Sequence, residues 1–232
     1  MELNISETVI CLSSARSRTT FLKTLFDQNL AFVAFGELFS KSHHFAIKLN
    51  KNGIKNNDGS SISVRELLQL EEHIEAMGQT LFFKVFYNHL DKIPETDQLS
   101  IFNNRKIIHL IRTNPLETFF SSKKAKSEKI WKTIDESKIK FTRYKLDREE
   151  FNNWYVKKSH QIRHYSKLIE NNIKVRLEYQ SYNFEDYLNK ELNSFLKDDF
   201  NLNARLKKQN PYQMSDVIIN YDSFEDVDYD LF

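Results

Sequence analysis

A chain of 232 residues, 40% of them hydrophobic and with 19 Phe and 10 Tyr, is long enough for one α/β domain with a substantial core, expected to span 1–232. Its formal net charge of +2 excludes bulk affinity for nucleic acid by counterion release. The single cysteine, Cys11, excludes an internal disulfide, and no stretch approaches the roughly 20 apolar residues of a membrane span. The opening MELNISETVICL has acidic residues and too short an apolar run for a signal peptide. A soluble, cytoplasmic protein is the expectation.

The first predicted element is a buried strand, TVICL, from Thr8 to Leu12. Phe21, Leu22, Leu25 and Phe26 then recur at helical spacing. Between them lies SSARSRTTFL, a turn rich in hydroxyls and arginine. A strand feeding a helix N-terminus through such a turn aims backbone N–H groups and the positive helix pole at one place, where anions bind. It is not a Walker A loop, because that motif needs two glycines and a lysine. The bland alternative is a Ser/Thr-capped helix with two surface arginines.

A second apolar run, AFVAF, ends in Gly36, Glu37 and Leu38. A carboxylate just after a strand stands at the sheet edge where open α/β sheets bind ligands, although a surface loop carboxylate reads the same way. Residues 42–61 form a polar loop. Within it, His43 and His44 are adjacent but have no further metal ligands at defined spacing. Ser63 to Met77 predicts a helix, opened by a Ser63/Glu66 capping box and closed by Gly78, with Val64, Leu67, Leu68, Ile74 and Met77 on its apolar stripe. LFFKVF, Leu81 to Phe86, predicts a buried strand interrupted by Lys84. That lysine either snorkels to water or meets an anion.

KIIHLI, Lys106 to Ile111, is the next strand and runs into RTNPLETFFSSKKAK. Asn114 suits an N-cap and Pro115 the first helical turn. Arg112 and either Ser121 or Ser122 can then clamp one small anion if the helix folds back beside the strand. Lys123, Lys124 and Lys126 predict a solvated basic face. Asp147 to Asn171 predicts a long helix carrying Phe151, Trp154, Tyr155, Ile162, Tyr165, Leu168 and Ile169 along one side. His160 and His164 on it are i, i+4, but H-E-x-x-H is absent. Ile173 to Tyr179 is the last strand, followed by a helix capped near Asn183. Strand and helix alternate throughout, which argues for a parallel sheet with helices on both faces.

Three separated segments together resemble sulfotransferases that use 3′-phosphoadenosine 5′-phosphosulfate, in particular the bacterial trehalose, lipopolysaccharide and carbohydrate branch. SSARSRTTFL resembles that family's 5′-phosphosulfate loop, with its R-S-G-T-T core. KIIHLIRTNPLETFFSS resembles its 3′-phosphate motif, an Arg at a strand end and a serine nine residues later in a helix. VRLEY, the helix ending in FLKDDFNL, and LKKQNP…INYD resemble its later elements. The resemblance implies a P-loop NTPase-like, three-layer fold with a central parallel sheet flanked by helices. It implies an enzyme moving a sulfuryl group, without a metal, from that nucleotide to a hydroxyl of a small-molecule or glycan acceptor. By the same resemblance Arg16, Ser17, Arg18, Thr19 and Thr20 hold the phosphosulfate. Arg112 and Ser121 hold the 3′-phosphate, and Tyr179 and Lys208 add nucleotide contacts. Glu37, Lys84 and Arg16 are the implied catalytic residues, with His43, His44 or His89 as substitute bases. Arg18 stands where the family motif has glycine, and its Y-E-D-L reads Tyr179, Gln180, Ser181, Tyr182. Two other readings use the same scaffold, a non-catalytic anion- or glycan-binding protein and a P-loop kinase-like phosphotransferase.

Overall fold

The computed structural model describes residues 8–40, 61–129, 141–179, 184–196 and 212–225. Five strands form one sheet: β1 (Val9–Ser13), β2 (Phe32–Glu37), β3 (Thr80–Phe86), β4 (Lys106–Arg112) and β5 (Lys174–Tyr179). Every pairing is parallel, in the order β2-β3-β1-β4-β5. All five strands lie where the apolar runs place them. In β1, β3 and β4 those runs are nearly continuous, as strands covered on both faces require, whereas the edge strand β5, KVRLEY, alternates.

Helix α1 (Thr19–Gln28) and α7 (Phe184–Leu196) cover one face of the sheet. There Phe21, Leu22, Leu25 and Phe26 meet Val9, Cys11, Phe82 and Leu110, with Leu188 and Leu192 alongside. The other face carries α2 (Val64–Ala76), α3 (Tyr87–Leu90), α4 (Glu95–Phe102) and α6 (Arg148–Leu168). There Ile10, Leu12, Phe83, Val85, Ile107 and Ile111 pack on Leu67, Leu70, Ile74, Ile162 and Tyr165. The result is the expected three-layer α/β arrangement. A third cluster joins α5 (Pro115–Glu128) and α6 to the segment around α8 (Met214–Val217), with Phe119, Phe120, Phe151, Val217 and Phe224 at its centre.

The helix-end signals act as the sequence predicts. Ser63 Oγ accepts from the Glu66 N–H at 3.2 Å, and Glu66 Oε2 accepts from the Ser63 N–H at 2.7 Å. Gly78 takes φ +71 just after α2, the left-handed conformation that glycine adopts without cost. Asn114 Oδ1 caps α5 by accepting from the Glu117 N–H at 2.9 Å, with Pro115 at the first helical position. Asp147 Oδ1 likewise accepts from the Glu150 N–H at 2.7 Å.

Two packing expectations are corrected. In α2 the buried stripe is Leu67, Leu70 and Ile74, while Leu68 and Met77 are exposed. Positions 67, 70 and 74 follow the 3.6-residue period, and position 68 stands about 100° away from Leu67. In α5 the basic face is not uniformly solvated, because Lys124 is buried and its Nζ lies 5.9 Å from the Tyr212 ring centroid. The C-terminal segment folds over this lysine, a contact distant in sequence. The short helices α3 and α4 have no counterpart in the sequence reading.

Candidate active site

The connection leaving β1 returns by α1 to β2 at one edge, whereas β4 connects to β5 at the other. The loops after β1 and β4 therefore diverge from adjacent strands, which opens a crevice at their carboxyl ends. Both arginine-containing motifs lie there. Arg16 Nε donates to Ser121 Oγ at 3.0 Å across 105 residues of sequence, and Arg112 Nη1 donates to the Arg16 carbonyl at 3.4 Å. Arg112 also ion-pairs with Glu117 in the first turn of α5. Ser121 thus meets Arg16 directly, and Arg112 reaches the same loop through its backbone.

The β1–α1 turn is shaped by two residues in the left-handed region, Arg16 at φ 71 and Arg18 at φ 52. Arg18 therefore adopts the conformation for which glycine is the usual residue. It opens α1 without a side-chain cap, so the first-turn N–H groups receive no side-chain oxygen from it. Ser13 Oγ donates to the Leu110 carbonyl at 2.6 Å and fastens β1 to β4. Ser14 and Ser17 share a hydroxyl hydrogen bond of 3.0 Å, and Ser17 and Thr19 are buried. The hydroxyls nearest the strand are thus partly committed to holding the turn. Thr20, next in the helix, is half-buried.

A second group of side chains gathers at the ends of β2 and β3. The register between these strands runs Ala34↔Phe82 and then Glu37↔Lys84, so β2 carries one extra residue. Phe82 faces α1, and Lys84, two residues on, shares that face. Ala34 also faces α1, and only the bulge brings Glu37, three residues later, onto the same side. Glu37 Oε1 lies 3.5 Å from Lys84 Nζ, and Glu37 Oε2 lies 3.9 Å from His89 Nε2. Burial lowers the Lys84 ammonium below its ordinary pKa, opposed by the attraction of Glu37. Burial likewise lowers His89, again opposed by Glu37, so the imidazole is neutral near pH 7. His89 Nδ1 is buried and has no hydrogen-bond partner among the described residues. The structure therefore assembles Glu37, Lys84 and His89, three residues the sequence reading named separately.

Tyr179 ends β5, in register with Arg112 at the end of β4. His43, His44 and Lys208 lie outside the described residues. His160 and His164 stack on the exposed side of α6 with centroids 6.4 Å apart. Among the described residues no group of three or more His, Cys, Asp or Glu side chains could hold a metal ion, and no helix is long and apolar enough to cross a membrane. Cys11 is fully buried, and burial pushes its thiol up to about 12, which makes it unreactive.

The sequence reading missed two residues. Glu117 braces Arg112 and belongs to the quoted R-x-N-x-L-E stretch, so its signal was the i, i+5 pairing of a strand-end arginine with a first-turn glutamate. Lys158 lies beside Gln161 on the mainly apolar side of α6, and its signal was a lysine where the helical period calls for an apolar residue.

No family model matches the chain, and no curated protein does. Among solved structures it is similar to a sulfotransferase from Alicyclobacillus acidocaldarius, at 10% sequence identity and a TM-score of 0.47, over 91% of this chain and 87% of that one.

Proposed function

We propose that the protein is a sulfotransferase that moves a sulfuryl group from 3′-phosphoadenosine 5′-phosphosulfate to a hydroxyl of a small-molecule or glycan acceptor. The observation that carries this reading is the meeting of Arg16 with Ser121, and of Arg112 with the Arg16 carbonyl, at the crevice between β1 and β4. A donor with phosphate groups at both its 5′ and 3′ positions needs two anion sites held at fixed separation. A glycine-free loop cross-linked to the β4–α5 junction supplies that rigidity.

In this reading Arg16, Ser17, Arg18, Thr19 and Thr20 hold the phosphosulfate end, with the N-terminus of α1 behind them. Arg112 and Ser121 hold the 3′-phosphate, and Tyr179 and Lys208 add contacts to the nucleotide. Arginine suits this place because its planar fork binds phosphate through two parallel hydrogen bonds. Glu37 takes the proton of the acceptor hydroxyl as its oxygen bonds to sulfur. The bond between sulfur and the 5′-phosphate oxygen breaks, and 3′-phosphoadenosine 5′-phosphate leaves with the electron pair. Arg16 and Lys84 stabilise the charge that develops on the bridging and leaving oxygens. Like phosphoryl transfer, the step depends on alignment and charge, and no metal is invoked.

Calorimetric titration with 3′-phosphoadenosine 5′-phosphate, with and without Mg²⁺, tests the reading. Tight binding independent of metal is expected. Arg112→Ala should weaken that nucleotide much more than AMP, which lacks the 3′-phosphate. Equal losses for both nucleotides, or binding of ATP that requires Mg²⁺, would overturn the assignment.

A further inference from the structure

The outer side of α6 is basic over much of its length. From Lys157 to Lys167 the sequence holds six basic residues, Lys157, Lys158, His160, Arg163, His164 and Lys167, and from Phe151 to Ile169 it holds no Asp or Glu. Lys158 turns inward, where its Nζ donates to Oε1 of the buried Gln161 at 3.0 Å. The other five are exposed. Lys157, His160, His164 and Lys167 stand at i, i+3, i+7 and i+10, a row about 15 Å long on one helical face, and Arg163 flanks it. The imidazoles of His160 and His164 lie parallel within the row, with ring centroids 6.4 Å apart.

Neither packing nor helix stability accounts for this row. The opposite side of α6 makes the core contacts, through Phe151, Ile162, Tyr165 and Ile169. Lys167, in the last turn, complements the helix dipole, but Lys157 and Arg163 lie too far from the C-terminus to do so. Arg163 and Lys167 are like charges at i, i+4, an arrangement that destabilises a helix. Among the described residues none of the five forms an ion pair. The acidic groups nearest in the chain, Glu150 and Glu170, lie at the two ends of the helix, and Glu150 pairs with Lys123. Asp91 meets α6 on its inner side, where it accepts from Gln161 Nε2 at 2.6 Å and from the Tyr165 hydroxyl at 2.9 Å. The chain as a whole mixes 34 Lys and Arg with 32 Asp and Glu, so a face without any acidic residue is a local concentration of uncompensated positive charge.

We infer that the outer face of α6 docks a linear anionic polysaccharide. Basic residues at this density are the electrostatic pattern of polyanion-binding patches. A row one helix wide, with a charged or hydrogen-bonding group about every 5 Å, matches sulfate or carboxylate groups strung along one chain. A nucleic acid strand would also use aromatic stacking platforms, and no Phe, Tyr or Trp of α6 is exposed. A membrane surface would use apolar side chains beside the cations, but the apolar side of α6 faces the core and Val156 is its one exposed large apolar residue. The inference does not rest on the sulfuryl-transfer reading, because Glu37 and Lys84 stand on the opposite face of the sheet, beside α1.

Heparin as the sulfated chain and dextran as the neutral one test this on the full protein, by calorimetry at low ionic strength where such contacts are least screened. Heparin should bind and dextran should not. Lys157→Gln, Arg163→Gln and Lys167→Gln combined should weaken heparin by about tenfold or more, since each exposed ion pair contributes up to about fivefold, and should flatten the salt dependence. Arg65→Gln, Lys126→Gln and Lys190→Gln combined, one each on α2, α5 and α7, remove the same net charge and should leave the affinity within about twofold. All six positions are exposed, so both variants should keep the fold. No heparin binding, equal binding of dextran, equal losses in the two variants, or binding that survives loss of the α6 row would each overturn the inference. Duplex DNA or anionic lipid vesicles that bind as tightly as heparin, with the same dependence on the row, would overturn the assignment to a polysaccharide.

Discussion

Glu37 stands opposite Lys84, with Oε1 3.5 Å from Nζ, because β2 carries one residue more than β3 between Ala34 and the strand end. Strand residues alternate between faces, so an unbulged β2 would send Glu37 to the side of the sheet away from Lys84. The bulge re-aims one carboxylate toward a buried ammonium and toward His89. Gly36, within the bulged stretch, is buried.

If this carboxylate takes the acceptor proton, Glu37→Gln should lower turnover by roughly 10²–10⁴-fold, the usual worth of a positioned base. Affinity for 3′-phosphoadenosine 5′-phosphate should stay within about twofold, because Glu37 lies outside the crevice that holds the two arginines. Single-turnover kinetics beside calorimetry makes the comparison, with a thermal melt to confirm that Lys84 tolerates the loss of its partner. Turnover close to that of the natural chain would move the base to His89 or to a histidine outside the described residues.

The Arg16–Ser121 contact yields a second test. A hydroxyl that accepts from Arg16 Nε at 3.0 Å fixes the guanidinium against the second turn of α5. Ser121→Ala removes that acceptor and, in the proposed reading, one donor to the 3′-phosphate. A charge-assisted hydrogen bond contributes about 1.5–3 kcal/mol, so nucleotide affinity should fall by about tenfold or more. AMP should lose less, since it lacks the 3′-phosphate. Ser122→Ala, one position on in α5, serves as the control and should leave both affinities unchanged.

The fold was largely legible in the sequence. Three of the five strands are runs such as VICL, LFFKVF and KIIHLI, whose predominant hydrophobicity demands burial on both faces. Capping residues placed α2, α5 and α6 to within a residue or two, because Ser63, Asn114 and Asp147 each satisfy backbone donors locally. The site was legible only as separate pieces. That Arg16 touches Ser121, or that Glu37 faces Lys84, depends on strand order and on a one-residue bulge, and neither leaves a local mark. Leu68 was misplaced because any leucine in a helix reads as core until its angle to the stripe is counted. Lys124 was read as solvated because the segment that buries it lies some 90 residues away in the chain.

Arg18 offers a test of backbone conformation independent of any ligand. At φ 52 it pays the steric cost that the left-handed region imposes on a residue with a Cβ. Arg18→Ala and Arg18→Gly both remove the side chain and its contacts, and they differ in that cost and, in the opposite sense, in the larger backbone entropy glycine loses on folding. The glycine variant should therefore be more stable than the alanine variant by about 1 kcal/mol in urea unfolding. If alanine equals or exceeds glycine, the turn does not hold residue 18 in this conformation in solution.

His109 supplies a prediction on pH. It lies in β4, 2% exposed, with Nε2 2.8 Å from the Tyr87 hydroxyl, and Tyr87 stacks on Tyr165. Burial is the main cause that lowers it to about 3, and the positive charges of Arg176 and Lys174 on β5 push the same way. The unfolded chain takes up this proton near pH 6.5, whereas the folded chain resists it down to about 3. Between those limits the unfolded state binds more protons, so the stability contributed by neutral His109 is complete above about 6.5 and declines as the pH falls. The slope for one such group is about 1.4 kcal/mol per pH unit. His109→Gln removes the titration and leaves a side chain that can still meet the Tyr87 hydroxyl. Urea unfolding from pH 7 to pH 4 should show the natural chain losing stability more steeply than the variant by about that slope. Parallel pH profiles would mean that His109 takes up its proton in the folded state as readily as in the unfolded one.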